Sequence, residues 1–571
     1  MRHTACAILA VALLAPWARA DILQVPAQYA GIQAAIQAAQ PGDTVLVADG
    51  VYHETVDFAG KAITVASHFL QDRDTQHISG TIIDGSQPAR PDTASCVLFI
   101  HGEGNGALLE GFTLRGGRGT LWLDEHGAGL YREGGGILIQ AASPTIRHNW
   151  ITDNEATATG PGVSSAGGGA IRCGDGNPLI HNNVITRNRG RYGAGIVLNF
   201  SGADIRNNVI ALNEGGEDYG GAGIWCYGAG PAAKWIEHNS IAGNLSLGAG
   251  GGVLVWSAQA TLRDNILWGN EALGPGSQIR TQGGTATVDH CDVEGGYTGV
   301  GNLDSHPLWT DALWLGNASP CIDAGNPACQ DAEDPQMPGT PLWPARGDLR
   351  CDLGATGGPG VSPALWLGIP RMRMQPEALD FGLVEGGTRQ LELLVLNRGT
   401  FRLMVDSLHV PAALAGELSV TGPAPTSVAP FTSASYQVGW TPGASGALAD
   451  TLWVYHRNQE PANPLAVPLS GEAALAVDPG GVRPLVAELE PCRPNPFNPD
   501  TEISFTNPEA QRVRLTVLDL RGARVAVLLD EFCAPGRRSL RWRAGEAAGG
   551  LYLLRLELGG RVLTSKALLV K

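Results

Sequence analysis

The sequence predicts an all-β chain in which a right-handed parallel β-helix solenoid is followed by two β-sandwich (Ig-like) domains. Three observations carry this reading. A glycine run recurs at residues 134–136, 167–169, 193–195, 221–223 and 250–252. Each run leads into an apolar-polar alternation that ends in two asparagines five residues apart: Asn149 and Asn154, Asn183 and Asn188, Asn208 and Asn213, Asn239 and Asn244, Asn265 and Asn270. Beyond residue 374 the glycine-asparagine repeat stops and longer alternating strands replace it.

Successive first asparagines stand 34, 25, 31 and 26 residues apart, so a fixed unit is joined by connections of variable length, as in a solenoid. The repeated segments, such as Pro144-Thr145-Ile146-Arg147 and Pro178-Leu179-Ile180-His181, alternate with period 2, and no 3.6-residue helical period runs through them. Short parallel strands, three to a coil with Gly and Asn corners, satisfy this pattern. Asparagine suits a corner because it tolerates left-handed backbone and its amide can bond the same residue one coil on. The ladder is therefore read as scaffold, and function is assigned to the non-repeating residues between its rungs.

Residues 1–20 combine a basic start at Arg2, an apolar stretch and Ala18-Arg19-Ala20, the pattern of a secretory signal. No later run approaches the roughly 20 apolar residues of a membrane span. From residue 25 to 39 an amphipathic helix places Ile32, Ala35, Ile36 and Ala39 on one face and stops at Pro41-Gly42. Ahead of the first strand, such a helix would seal the open apolar end of a solenoid.

The run Val25-Pro26-Ala27-Gln28-Tyr29 through Ile36, with Pro41-Gly42-Asp43-Thr44-Val45, resembles the capped start of bacterial β-helix proteins of the pectin-lyase-like superfamily. Gly80-Thr81-Ile82-Ile83-Asp84-Gly85, Gly111-Phe112-Thr113-Leu114-Arg115 and Ser319-Pro320-Cys321-Ile322-Asp323-Ala324-Gly325 are similar to the same group. This resemblance spans residues 21–360 and implies a fold, not a chemistry. After a linker at 361–374, residues 374–473 carry strands at sandwich spacing together with Asn397-Arg398-Gly399 and Pro468-Leu469-Ser470-Gly471, and resemble the immunoglobulin-like modules of the abnormal-spindle and hydin group. Residues 487–571 open on Pro494-Asn495-Pro496-Phe497-Asn498-Pro499 and resemble the C-terminal sorting domain of the type IX secretion system, or the similar flagellar-hook-capping domain. That likeness implies secretion machinery as a partner and delivery to the outside of a Gram-negative-type bacterium.

The 571 residues carry 39 basic and 55 acidic side chains, a formal charge of −16, which disfavours nucleic acid as a partner. Nine cysteines follow the signal segment, an odd number that excludes complete pairing. Cys321 with Cys329 could close a short loop and Cys492 with Cys533 could bridge the last domain, the pairing itself being left open, and Cys173 and Cys226 are expected to be buried thiols.

A lyase acting on uronic-acid polymers needs a basic side chain to take a proton beside a carboxylate, and commonly Ca²⁺ to hold the developing charge. Lys61 and Lys234 are the only lysines of residues 21–360, and both are read as surface residues. Lys234, Arg191 and Arg172 are the catalytic candidates, with Arg187 nearby. Asp175, Glu217 and Asp218, together with Glu214, are the Ca²⁺ candidates on loops between coils. Asp331, Glu333 and Asp334 form a second acidic group. The Asn-Thr-Asp, Asp-Asp and Gly-His-Gly signatures expected by resemblance to polygalacturonases are missing, which lowers a hydrolase reading. Trp225, Tyr227 and Trp256 follow two consecutive glycine runs, and near-register stacking would make an aromatic strip for sugar rings. The leading expectation is a secreted or cell-surface protein that recognises extracellular polysaccharide. A polysaccharide lyase and a purely structural or adhesive surface protein are the alternatives.

Overall fold

The computed structural model describes residues 20–230, 232–362, 371–457, 463–474, 486–545 and 547–570. All but Ala20 of the segment expected to be a secretory signal, and the middle of the expected linker, lie outside them. The described chain divides into two compact units, split between Ala474 and Leu475.

The first unit begins with a right-handed parallel β-helix. Four sheets of ten, nine, nine and eight strands run along it. One coil reads Ile171–Gly174, Leu179–His181, Val184–Thr186 and Arg189–Tyr192, one strand for each sheet. A coil in the middle of the helix thus has four strands where the sequence suggested three. The fourth is built from pieces as short as the two-residue Glu155–Ala156 and Leu245–Ser246, too short to show a period.

Inward side chains stack in register from coil to coil. Ile146, Ile180, Ile205, Ile236, Leu262 and Val288 form one column, and Ile151, Ile185, Ile210, Ile241 and Leu267 another. Each fully buried Ile contributes about 1.5–3 kcal/mol. Cys173 and Cys226 occupy one such column with Leu198 between them, the buried thiols expected.

The two asparagine ladders form. Asn183, Asn208 and Asn239 each donate Nδ2 to the Oδ1 of the next asparagine at 3.0 Å, and Asn188, Asn213 and Asn244 do so at 2.9–3.0 Å. The left-handed residue, however, is the one before each asparagine of the first ladder: His148, Asn182, Asn207, His238 and Asp264 have φ between 51° and 55°. The ladder asparagine provides the amide, and its predecessor makes the corner.

The N-terminal cap is a strand, Ile22–Val25, followed by the helix Ile32–Ala38, a later start than the sequence indicated. Ile32, Ala35 and Ile36 close the apolar end. The Glu54 carboxylate accepts from the Ile32 and Gln33 amides, and Lys61 Nζ donates to the Ile36, Gln37 and Ala39 carbonyls, so Lys61 satisfies the helix C-terminus. At the other end, residues 319–362 run back along the first asparagine corner as a strap. Asn207 Nδ2 donates to Gly357 O at 2.6 Å, Asn182 Nδ2 to Gly360 O at 3.2 Å, and His148 meets Ser362 Oγ at 3.1 Å. The strap is pinned by a disulfide between Cys329 and Cys351, not between Cys321 and Cys329. Cys321 is buried and faces Asp292 Oδ2 at 3.1 Å, which turns it away from Cys329.

Residues 372–473 form a sandwich of a four-stranded and a five-stranded sheet around Phe381, Leu393, Tyr436, Trp440 and Leu452. Phe431 projects from it against the Trp309 ring, with 5.6 Å between centroids, and covers Gly243 and Gly269. The second unit is a three-stranded and a four-stranded antiparallel sheet around Phe497, Phe505, Leu515, Trp542 and Leu554. Its Cys492 and Cys533 are both buried and unbridged: Cys492 Sγ lies 3.6 Å from Lys566 O and Cys533 takes Arg538 NH1 at 3.0 Å, so the two thiols have separate partners.

Candidate functional site

The strand Ile224–Tyr227 turns Ile224 and Cys226 inward and Trp225 and Tyr227 outward. Its neighbour Val253–Trp256 pairs Tyr227 with Trp256 and Trp225 with Leu254. Trp225 and Tyr227 are stacked at 5.3 Å between centroids and 13° between planes, and the Trp256 ring stands edge-on to Tyr227 at 5.9 Å. Trp225 is 6% exposed, whereas Tyr227 and Trp256 are half-buried.

This strip is the floor of a cavity of about 360 Å³. Tyr131, Tyr192 and Tyr219 form its side, with Tyr192 at 6.1, 5.7 and 5.3 Å from Tyr131, Tyr219 and Trp225. Its roof comes from an antiparallel hairpin, Gly119–Leu123 with Leu130–Glu133, that leaves the coil. The Asp124 carboxylate holds the tip of that hairpin by accepting from the His126 and Ala128 amides at 2.9 and 3.0 Å. The His126 ring then lies flat on Phe200, 3.8 Å away.

Behind the aromatic wall is a sealed polar network. Arg172 is fully buried, and its Nε faces Glu133 Oε2 at 2.8 Å. The Tyr192 hydroxyl donates to Glu133 Oε1, and Arg172 donates to Gln140 Oε1. Gln140 passes the chain on to Asp175 Oδ2 at 2.9 Å, and Asp175 Oδ1 meets His126 Nε2 at 3.0 Å. Gly174 leaves room for Arg172 and Gln140, because a Cβ there would strike both. Burial raises the Glu133 carboxyl above its ordinary value against the pull of Arg172. Burial also pushes the Tyr131 phenol up to about 12, so it is an un-ionised hydroxyl at neutral pH. Trp225 Nε1 and Asn199 Oδ1, both on residues lining the cavity, are buried without a hydrogen-bond partner.

The aromatic residues expected from the sequence are thus brought together, and the basic and acidic candidates are not. Arg172, a catalytic candidate from the sequence, is sealed behind the pocket because its strand turns it under Tyr192. Lys234, expected at the surface, is 2% exposed, and its Nζ donates to Gly228 O at 3.0 Å; burial lowers its pKa. Arg191 grips Asp218 through Nε at 3.0 Å and NH2 at 2.6 Å and meets Glu217 at 3.2 Å. Arg187 pairs with Asp153 at 2.6 Å, and Glu214 with Arg189 at 3.6 Å.

The candidate Ca²⁺ ligands do not converge. Asp175 is bonded to His126 and Gln140, while Glu217 and Asp218 are held by Arg191 on another sheet. Asp331 accepts from the Gly358 and Asp352 amides, Glu333 from Gly339 and Asp334 from Gln336, so that group serves loop geometry. These residues do not fit a bound Ca²⁺, which needs six to eight converging oxygens. Among the described residues the one close group of three potential ligands is His238 with the bridged Cys329 and Cys351.

Tyr131, Glu133, Tyr192 and Tyr219 were not singled out from the sequence. One signal was present: Glu133, Gly167, Tyr192 and Gly220 share a register column, at or just before successive glycine runs.

Fold and site together define a right-handed parallel β-helix protein with an aromatic surface pocket. The family described as "Right handed beta helix region" matches residues 97–267, which include every aromatic residue of the pocket. No curated protein matches the chain. Among solved structures, a CupB2 chaperone of Pseudomonas aeruginosa is 16% identical over 35% of this chain and 100% of its own, with a TM-score of 0.15. The D00-D0 domain of Intimin is 13% identical over 36% and 100%, at 0.14, and domains 5-6 of the S-layer protein SbsC are 12% identical over 35% and 99%, at 0.15. Likenesses at these scores bear on neither ligand nor partner.

Proposed function

We propose that this is a secreted or cell-surface β-helix protein that recognises extracellular polysaccharide through the aromatic pocket. The observation that carries the reading is the in-register, half-buried pair Tyr227 and Trp256 beside Trp225, lining a cavity walled by three tyrosines. Sugar rings bury their C–H faces on such surfaces, and polar atoms at the edge fix orientation. The test is retention of the full chain, without its signal segment, on a broad panel of immobilised glycans. Retention that Trp256→Ala removes supports the proposal, and a chain that no glycan retains refutes it, leaving the structural or adhesive reading.

A lyase reading has less support. A base must reach the substrate, and Lys234 and Arg172 are closed off while Arg191 is engaged by two carboxylates. Absorbance from unsaturated products on polyuronates, with and without Ca²⁺, tests it directly. Delivery is assigned within this proposal to residues 487–571, on the resemblance of their opening to sorting domains. Removing them is expected to leave the protein in the periplasm, and normal export of the truncated chain would count against the assignment.

A further inference from the structure

We infer that the pocket selects a neutral pyranose and turns uronic acids away. This rests on the glycan-binding proposal and names the class of sugar.

The charge of the lining comes first. Asp124 contributes a carboxylate to the wall, the Glu133 carboxylate is balanced by its ion pair with buried Arg172, and neither Lys nor Arg is among the lining residues. The cations nearby are already committed: Arg172 to Glu133 at 2.8 Å, Arg191 to Asp218 and Glu217. His126, the remaining basic side chain of the lining, faces Asp175 at 3.0 Å. A uronate carboxylate would meet like charge here and would lose its water without a guanidinium to replace it.

Hydrogen-bonding capacity points the same way. Trp225 Nε1 is a donor and Asn199 Oδ1 an acceptor, each buried and without a partner. The C6 hydroxyl of a neutral sugar can accept from the first or donate to the second, whereas a uronate carboxylate in that place only accepts and cannot serve Asn199 Oδ1. Tyr227 and Trp256 provide the stacking surface, which is indifferent to the substituent at C5. Discrimination therefore falls on the charged and orphaned groups.

The experiment titrates tryptophan fluorescence of the full chain with matched probes of equal length: glucose oligomers against oligoglucuronates, and galactose oligomers against oligogalacturonates. At low salt the neutral member of at least one pair should bind tenfold or more tightly than its uronate. Asp124→Asn keeps the acceptor that holds the hairpin, and it should narrow that ratio at least threefold. Trp225→Phe keeps a ring but removes the donor, and it should weaken neutral binding about fivefold with an unchanged far-ultraviolet dichroism spectrum and thermal midpoint. Equal or tighter uronate binding, or a ratio unmoved by Asp124→Asn, overturns the selectivity while leaving glycan recognition standing. Binding of neither probe set, together with no retention on the wider panel, refutes the underlying proposal instead.

Discussion

The Tyr192 hydroxyl reaches across Gly167, the residue between them in the register, to the carboxylate of Glu133. A Cβ on Gly167 would stand 2.6 Å from the Tyr192 ring carbons. The contact exists because that rung has no side chain, and through it the tyrosine wall of the pocket is tied to the buried Glu133–Arg172 pair. Gly167→Ala should therefore overpack the site and lower stability by about 1–3 kcal/mol. Tyr192→Phe should cost a similar 1–3 kcal/mol by leaving one Glu133 oxygen unpaired. Chemical unfolding followed by intrinsic fluorescence checks both; a neutral Gly167→Ala would mean Tyr192 is not held there.

Asn208 and Asn182 separate the roles of amide and corner. The Asn208 side chain makes five hydrogen bonds, to Asn183, Asn239, Ile180 and Arg206, with no exposed surface. Asn182 sits at φ 55°. Asn208→Gly should lower stability by roughly 3 kcal/mol or more, since several buried partners lose their bonds. Asn182→Gly should change it by less than about 1 kcal/mol, because glycine favours that backbone. Similar losses at both positions would contradict this division.

The strap should be a pH-sensitive element. Burial pushes the carboxyls of Asp331 and Asp352 up to about 7. A carboxyl whose native pKa lies above its unfolded value binds protons more tightly when folded, so its contribution to stability is present at low pH and is lost as pH rises from about 4 to about 7. Amide exchange in residues 319–362 should accelerate over that window beyond the intrinsic pH dependence and be level above it. Asp331→Asn should flatten the response, and a strap that tightens as pH rises would contradict the assignment.

The Cys329–Cys351 bridge closes a loop of 22 residues within the strap. Reduction or Cys351→Ser should cost on the order of 3 kcal/mol by the chain-entropy argument. The loss should fall on the strap first, read as new proteolytic cuts between residues 319 and 362 while the coils stay protected. Cuts that start in the coils would show that the strap does not depend on the bridge.

The parts of the fold that repeat were legible before any coordinates. Isoleucines at alternate positions and asparagines five apart define coils because every coil solves the same packing problem. The aromatic floor was also visible, since Trp225, Tyr227 and Trp256 hold fixed places after the glycine runs. The walls were not, because Tyr131 and Glu133 belong to an antiparallel hairpin that breaks the repeat, and Tyr192 finds Glu133 across 59 residues of chain. Lys234 illustrates the same limit: it opens a strand and looks solvated by type, yet its Nζ is satisfied by Gly228 O from the preceding turn. The disulfide was left open by the sequence because the path of the strap, not sequence proximity, decides that Cys329 meets Cys351.

The most direct measurement of the central claim is affinity electrophoresis of the folded full chain and of its Tyr227→Ala/Trp256→Ala variant in gels containing neutral polysaccharides. The account predicts that at least one glycan retards the native chain and that the double variant, with unchanged thermal stability, migrates as if no glycan were present. A native chain retarded by none of them, or a variant retarded as strongly as the native protein, would contradict it.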